Sequence, residues 1–322
     1  MKAIVQDRYG DSSVLHLADV PVPTIGADDV LVDVRATALN IGDTHLMTGL
    51  PLIVRPFVGL RGPRQRIRGM DVAGVVHSVG AAVTAYAPGD EVFGVVSAGL
   101  AEFARASAAK IAPKPASLTF EQAACLPTSG ATALHALRDA GRLQPGQRVL
   151  VIGAAGGVGI FATQIARASG AHVTGVCSTS KVGFVKSLGA DEVIDYTVTD
   201  ITTLDARYDL ILDLAGMRPI PSLRRILAPT GTLVLVGGEG GSRLLGGLTR
   251  SMLAPLRALG SKQRLVGFNS VTNASDLGSL AELAEAGKIA PVIDSVELAA
   301  RVDGLAPSFL TNKRHGKRVI VG

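Results

Sequence analysis

No tryptophan occurs among the 322 residues, and aromatic side chains make up only 4% of them. A core must then be built from aliphatic side chains, which suits parallel α/β layers better than an aromatic-rich β-sandwich. Two cysteines, Cys125 and Cys177, are too few for a disulfide framework and fit a reducing compartment. No apolar run reaches the roughly 18 residues that a membrane span requires. Low-complexity tracts and repeats at a fixed period are also missing. The opening segment MKAIVQDRYG alternates like an edge strand and reads as neither a signal nor a transit peptide. The expectation is a cytoplasmic chain with no membrane partner. Charge is sparse, at 18% of residues, with a net value of +5. Arg61, Arg64, Arg66 and Arg68 crowd the segment RGPRQRIRG, yet no aromatic interleaves them, so a nucleic-acid groove is poorly supported. A solvated loop or the rim of an active site remain as readings. A mild positive field would equally attract a phosphorylated cofactor.

What is present is hydrophobic and rich in glycine: 47% of residues are apolar and 38 are Gly. Single cores stop growing near ~250–300 residues, so the length predicts two domains. Residues 1–120 read as short strands separated by Pro, Gly and Asp, as in DVLVDVRATAL, MDVAGVVHSVG and DEVFGVV. From Phe120 the character turns helical, interrupted by Pro127 and Gly130. Regular β–α alternation follows. Strands are expected at Arg148–Ile152, His172–Val176, Glu192–Ile194, Tyr208–Asp213, Thr232–Val236 and Arg264–Phe268, with a helix over Val158–Ala168. Six strands in this order predict a doubly wound parallel sheet. After them DLGSLAELAEAGKI is an amphipathic helix, and Arg318–Val321 is a strand that returns to the first domain. The first domain is therefore discontinuous, comprising 1–120 and 273–322, and the Rossmann unit 121–272 is inserted into it.

The segment RVLVIGAAGGVGIFATQIARA runs from a hydrophobic strand through a glycine-rich turn into an amphipathic helix. Glycines permit the tight turn, and Gly156 and Gly157 let backbone N–H groups approach a pyrophosphate at the helix N-terminus. The strand–loop–helix order makes this a dinucleotide-binding signal. The second strand ends in Cys177-Ser178-Thr179-Ser180-Lys181. No acidic residue stands where one would hold a ribose 2′-hydroxyl; three hydroxyls and an ammonium suit a 2′-phosphate, so NADPH is the expected cofactor. The same Ser and Thr residues also read as caps of the next helix, and the two roles are compatible.

With their flanks, these residues resemble the zinc-independent quinone oxidoreductase branch of the medium-chain dehydrogenase/reductase superfamily, which includes zeta-crystallin-like proteins. The likeness covers essentially the whole chain through ATALNIGD, GMDVAGVVHSVG, YAPGDEVFG, ASLTFEQAACLPTSGATAL, AAGGVG, GADEVIDY, GTLVLVGG, LAEAGKIAPVID and HGKRVIVG. It implies a Rossmann sheet inserted in a β-rich GroES-like catalytic domain. By motif matching, Ser178, Lys181 and Tyr196 fall at the 2′-phosphate end, and Gly156, Gly157, Val158 and Gly159 on the pyrophosphate loop. Thr132 and Gly237 fall along the nicotinamide half, and Asn40 lies near nicotinamide and substrate. Family members commonly form homodimers through the last Rossmann strand, here near Arg264–Phe268.

Zinc-dependent relatives need a Cys, a His and a third ligand where this chain has Asn40, Met70 and Thr128, none of them a normal zinc donor. A tyrosine found in enoyl-thioester reductases is replaced by Pro51. The resemblance thus implies a reductase that passes hydride from NADPH to a quinone or to the C=C of an α,β-unsaturated carbonyl. Asn40 would hydrogen-bond the carbonyl, and water would supply the proton. The alternative is a non-catalytic NADPH-binding sensor or structural protein of the same fold. Asp43, His45, Asp71 and Cys125 read as structural residues or bystanders, and the loops Leu50–Arg68 and Ser242–Leu259 as walls of the pocket.

Overall fold

The computed structural model describes residues 1–237, 242–254, 258, 260–268, 270–299 and 316–321. The chain divides into two compact units, one of Met1–Ala131, Thr272–Gly287 and Pro291–Gly322, the other of Thr132–Val271 and Lys288–Ala290.

In the first unit, DVLVDVRATAL forms the long strand Asp29–Leu39, buried over two continuous stretches, Val30–Val32 and Ala36–Ala38. It is the hub of a seven-stranded sheet. Antiparallel partners run beside it: Asp71–Val79 on one side, Lys317–Val321 on the other, and Phe103–Ser107 along its first half. Val30, Val32, Val72, Val76, Val92 and Ile111 meet in an aliphatic core beneath it. β-Branched residues on a half-buried pleat explain why so few aromatics suffice. The register places Ala38 opposite both Val319 and Asp71. Lys317, Asn40 and Asp71 consequently fall at neighbouring strand ends.

The second unit holds a six-stranded, all-parallel sheet. Its strands are Arg148–Ile152, His172–Cys177, Glu192–Asp195, Tyr208–Asp213, Leu227–Leu235 and Arg264–Gly267. In chain order they lie 3-2-1-4-5-6 across the sheet, the doubly wound order, with its switch point between Arg148–Ile152 and Tyr208–Asp213. RVLVI and YDLILD are nearly continuous in apolar residues because helices cover both faces of a parallel sheet. The fifth strand starts at Leu227, five residues before its apolar run, because Leu227 pairs with Tyr208 across an irregularity in the ladder. Helix Gly157–Ala168 buries Ile160, Phe161, Ala162 and Ile165. At Gly175 a Cβ would lie 2.5 Å from a Val185 methyl, so glycine is what lets the following helix pack so close. The helical stretch from Phe120 is broken into Phe120–Ala124 and Pro127–His135, and closes in a π-turn at Ala136–Ala140. Among the described residues no helix is long and apolar enough to cross a membrane.

Candidate functional site

A buried polar cluster forms where three strand ends of the first unit meet the start of helix Pro127–His135. Asp71 and Lys317 are 0% and 3% exposed. The Asn40 amide lies between them. Its Nδ2 donates to Asp71 Oδ2 at 3.0 Å and, more weakly, to the Ala38 carbonyl at 3.4 Å. Its Oδ1 accepts from Lys317 Nζ at 2.5 Å and from Ser129 Oγ at 3.2 Å. Lys317 Nζ also donates to Ser129 Oγ at 3.0 Å and stands 3.8 Å from Asp71 Oδ2. Asp71 completes its shell with the Thr128 hydroxyl at 2.5 Å and the Thr128 N–H at 3.1 Å. That N–H belongs to the first turn of a helix, where the peptide dipoles favour an anion. Burying a carboxylate and an ammonium costs several kcal/mol each, and this geometry offsets the cost through charge-assisted hydrogen bonds. Burial pushes the Asp71 carboxyl up from its ordinary pKa; the Lys317 charge opposes this first, then the bonds from Thr128 and Asn40.

Asp43 is fully buried and works on the backbone. It accepts the Asn40 N–H at 2.8 Å, at the start of helix Ile41–Thr48, and the Gly69 N–H at 3.0 Å. Gly69 has φ +93°, a turn open to glycine, and Asp43 staples it to the Asn40 loop. Burial raises the Asp43 carboxyl to about 6 despite these two bonds. His45 sits in the last turn of helix Ile41–Thr48. Cys125 donates its thiol to the Glu121 carbonyl, and burial pushes it up to about 12, outside the range of a nucleophile.

Of the three positions that the resemblance matches to zinc ligands, Asn40 and Thr128 are engaged in this hydrogen-bond cluster. The Met70 thioether lies against Gly42, where an added Cβ would stand 3.0 Å from its sulfur. Among the described residues no three His, Cys, Asp or Glu side chains form a metal-binding group. In the arginine-rich segment Arg66 pairs with Asp7, whereas Arg68 is buried at 4% exposure beside Asp43.

All nine sequence-predicted cofactor positions fall in the second unit, and Asn40 falls in the first. Gly153 turns the chain at φ +91°, and Gly156 enters helix Gly157–Ala168 in an extended conformation. The cap position, Gly156, has no side chain to bond the amides at that helix start. A Cβ on Gly159 would lie 2.7 Å from the Ala154 carbonyl, so the helix begins as close to the strand as backbone allows. This uncapped, glycine-lined N-terminus fits a pyrophosphate. Ser178 opens the turn Thr179–Lys181 at the end of the second strand. Tyr196, about half exposed, follows the neighbouring strand, with the Arg218 guanidinium 5.9 Å from its ring centre. The structure adds a carboxylate here: Asp195 pairs in register with Cys177. The Thr179 hydroxyl first, then the Thr197 hydroxyl and N–H at 2.7 and 2.9 Å, hold its carboxyl below the usual carboxylate range. Gly237 closes the fifth strand's end, its N–H on the Asp213 carbonyl at 3.0 Å. Thr132 lies in helix Pro127–His135.

Sequence reading missed Lys317, Ser129, Arg218 and Arg250. Arg250 belongs to the loop Ser242–Leu259, of which 255–257 and Leu259 lie outside the described residues. It forms an ion pair with the buried Asp213 at 2.6 Å. The detectable signal for Lys317 was a lysine opening an apolar strand within HGKRVIVG.

A mostly antiparallel unit interrupted by a doubly wound parallel one defines the medium-chain dehydrogenase/reductase architecture. Residues 26–135 match the family "Alcohol dehydrogenase GroES-like domain" and 188–319 match "Zinc-binding dehydrogenase". The chloroplast envelope quinone oxidoreductase homolog of Arabidopsis thaliana is 32% identical over 99% of this chain and 98% of its own length. The NADPH-dependent alkenal/one oxidoreductase of the same plant is 35% identical over 91% of this chain and 72% of its own. The structure of the quinone oxidoreductase from Coxiella burnetii superposes with a TM-score of 0.84 at 29% identity, covering 100% of this chain and 99% of the other. The chain belongs to the quinone oxidoreductase branch of the medium-chain dehydrogenase/reductase superfamily. That fold implies a nicotinamide cofactor.

Proposed function

We propose that the chain is an NADPH-dependent reductase that passes hydride, without zinc, to a quinone or to the C=C of an α,β-unsaturated carbonyl. The observation that carries this is the engagement of Asn40, Met70 and Thr128. Neutral amide, thioether and hydroxyl groups replace zinc donors, and a lysine ammonium sits 2.5 Å from the Asn40 oxygen, where a second cation is unwelcome. Acceptors that need no Lewis acid to be activated fit such a site. The relatives named for quinone and alkenal/one reduction support the same class.

In this reading the first unit is the catalytic domain and the second binds the nucleotide. Gly156, Gly157, Val158 and Gly159 hold the pyrophosphate, and Ser178, Lys181 and Tyr196 the 2′-phosphate end. Thr132 and Gly237 line the nicotinamide half. When bound, the reduced nicotinamide supplies a hydride from its C4. The Asn40 Nδ2 proton on the long 3.4 Å contact to Ala38 is the one a substrate carbonyl oxygen captures as negative charge develops. The Lys317 charge on Oδ1 polarises the amide and strengthens that donor. Water supplies the proton. Among the described residues the strand Arg264–Gly267 ends the six-stranded sheet, an edge to which a second copy could pair in a homodimer. Two unpaired cysteines fit a reducing cytoplasm.

Fluorescence titration with NADPH and NADH tests the cofactor assignment. Wild type binds NADPH at least tenfold more tightly. Lys181→Ala loses most of that preference, since a charge-assisted bond to phosphate contributes about 1.5–3 kcal/mol. Equal affinity for both cofactors in wild type would overturn the 2′-phosphate site.

A further inference from the structure

The buried charges around Asn40 do more than fill space. An amide has two chemically opposite ends on nearly the same shape, and packing alone rarely tells them apart. Here an ammonium faces one end and a carboxylate the other, at 2.5 and 3.0 Å. Turning the amide over would press NH2 against Lys317 and oxygen against Asp71. We propose that Lys317 is a positioning residue for the reductase reaction: together with Asp71 it locks the Asn40 amide, and so fixes the donor edge that an acceptor's carbonyl oxygen meets. This rests on the functional role given to Asn40 above.

The sheet builds the lock. Arg318 is in register with Leu39, so Lys317 lies beside Asn40, and Asp71 is in register with Ala38 on the opposite side. Ser129 Oγ joins in, accepting from Lys317 and donating to Asn40 Oδ1. The charged and titratable groups that act on Asp71 and its pair are Lys317 from the tail strand, Asp43 from the Asn40 helix and Cys125 from the helix before Thr128. Arg68 faces Asp43. Of these, Lys317 is the positive charge at Asp71. Without it, Asp71 is a carboxylate buried beside a second carboxylate, and it takes up a proton. A protonated Asp71 donates a hydrogen bond instead of accepting one, the reason for the amide's orientation disappears, and Asn40 turns over.

The experiment compares wild type with Lys317→Met, Lys317→Arg and the doubly neutral Lys317→Met/Asp71→Asn. Aspartate carboxyl carbons and asparagine side-chain amides are followed by NMR alongside steady-state kinetics with NADPH and a quinone. Asn40 resonances are assigned by their loss in Asn40→Ala. In Lys317→Met the Asp71 carboxyl is expected protonated near neutral pH, with the Asn40 amide signals displaced. The kcat falls about tenfold or more, with KM for NADPH unchanged. Raising the pH re-ionises Asp71 and restores kcat in part, a response that merely loosened packing does not give. Lys317→Arg keeps the wild-type signals and most of kcat. The doubly neutral variant removes the Lys317 and Asp71 charges, so it folds, and its low kcat is not restored by raising the pH above neutral. An ionised Asp71 and unmoved Asn40 amide in Lys317→Met would overturn the lock. A loss of kcat that is the same at every pH, and that Arg does not rescue, would do so too. A wild type that reduces no acceptor sinks the reductase reading alone, because the NMR comparison still decides the lock.

Discussion

Asp43 carries a testable cost at the scale of a single residue. Its carboxyl is raised from 3.8 to about 6 in the fold, chiefly by burial. A raised acid binds its proton more tightly when folded, so its favourable contribution is complete below the unfolded value and is lost as pH climbs through about 6. Two pKa units correspond to about 3 kcal/mol. Thermal unfolding of wild type and Asp43→Asn should therefore diverge between mildly acid and neutral pH. Wild type loses stability relative to the variant across that window, while the two curves run parallel above it. A constant difference at every pH would contradict the buried, proton-linked placement. The carboxylate survives there because Asn40 and Gly69 offer it two backbone N–H groups.

At the scale of elements, two glycines in helices make opposite forecasts. Gly159 enters the first Rossmann helix with the Ala154 carbonyl 2.7 Å from where a Cβ would stand. Gly159→Val should lower the unfolding temperature by several degrees and abolish NADPH binding, read by differential scanning fluorimetry with and without the nucleotide. Gly278, inside helix Ala274–Glu285, has open space around it. There Gly278→Ala should stabilise by about 0.5–1 kcal/mol and leave binding alone. A harmless Gly159→Val would show that the loop does not need its close approach. These elements were legible in the sequence because local pattern dictates them. RVLVI followed by GAAGGVG spells a buried strand and a tight turn, and five of the six parallel strands lie within a residue of their expected bounds. What was not legible depends on contacts distant along the chain. Lys317 and Asn40 are 277 residues apart, and only the sheet register joins them. A lysine at a strand's first position reads as a solvated end unless its buried carboxylate is known. Asp195 was missed for the same reason: strand pairing, not sequence spacing, brings it to Cys177.

At the scale of the whole molecule, the two units divide the labour the family implies. The parallel sheet offers the ends of its strands and an uncapped helix start to a dinucleotide. The first unit carries a buried cluster of charge and amide around Asn40. A net charge of +5 favours the approach of a phosphorylated cofactor without supplying specificity. The measurement that tests this account most directly is NADPH oxidation on adding a quinone or a short enone to protein exhaustively treated with a metal chelator. Turnover with NADPH should be undiminished, turnover with NADH much slower, and kcat lost in Asn40→Ala. Activity that vanishes with the chelator and returns with zinc, or tight NADPH binding with no acceptor reduced, would contradict it.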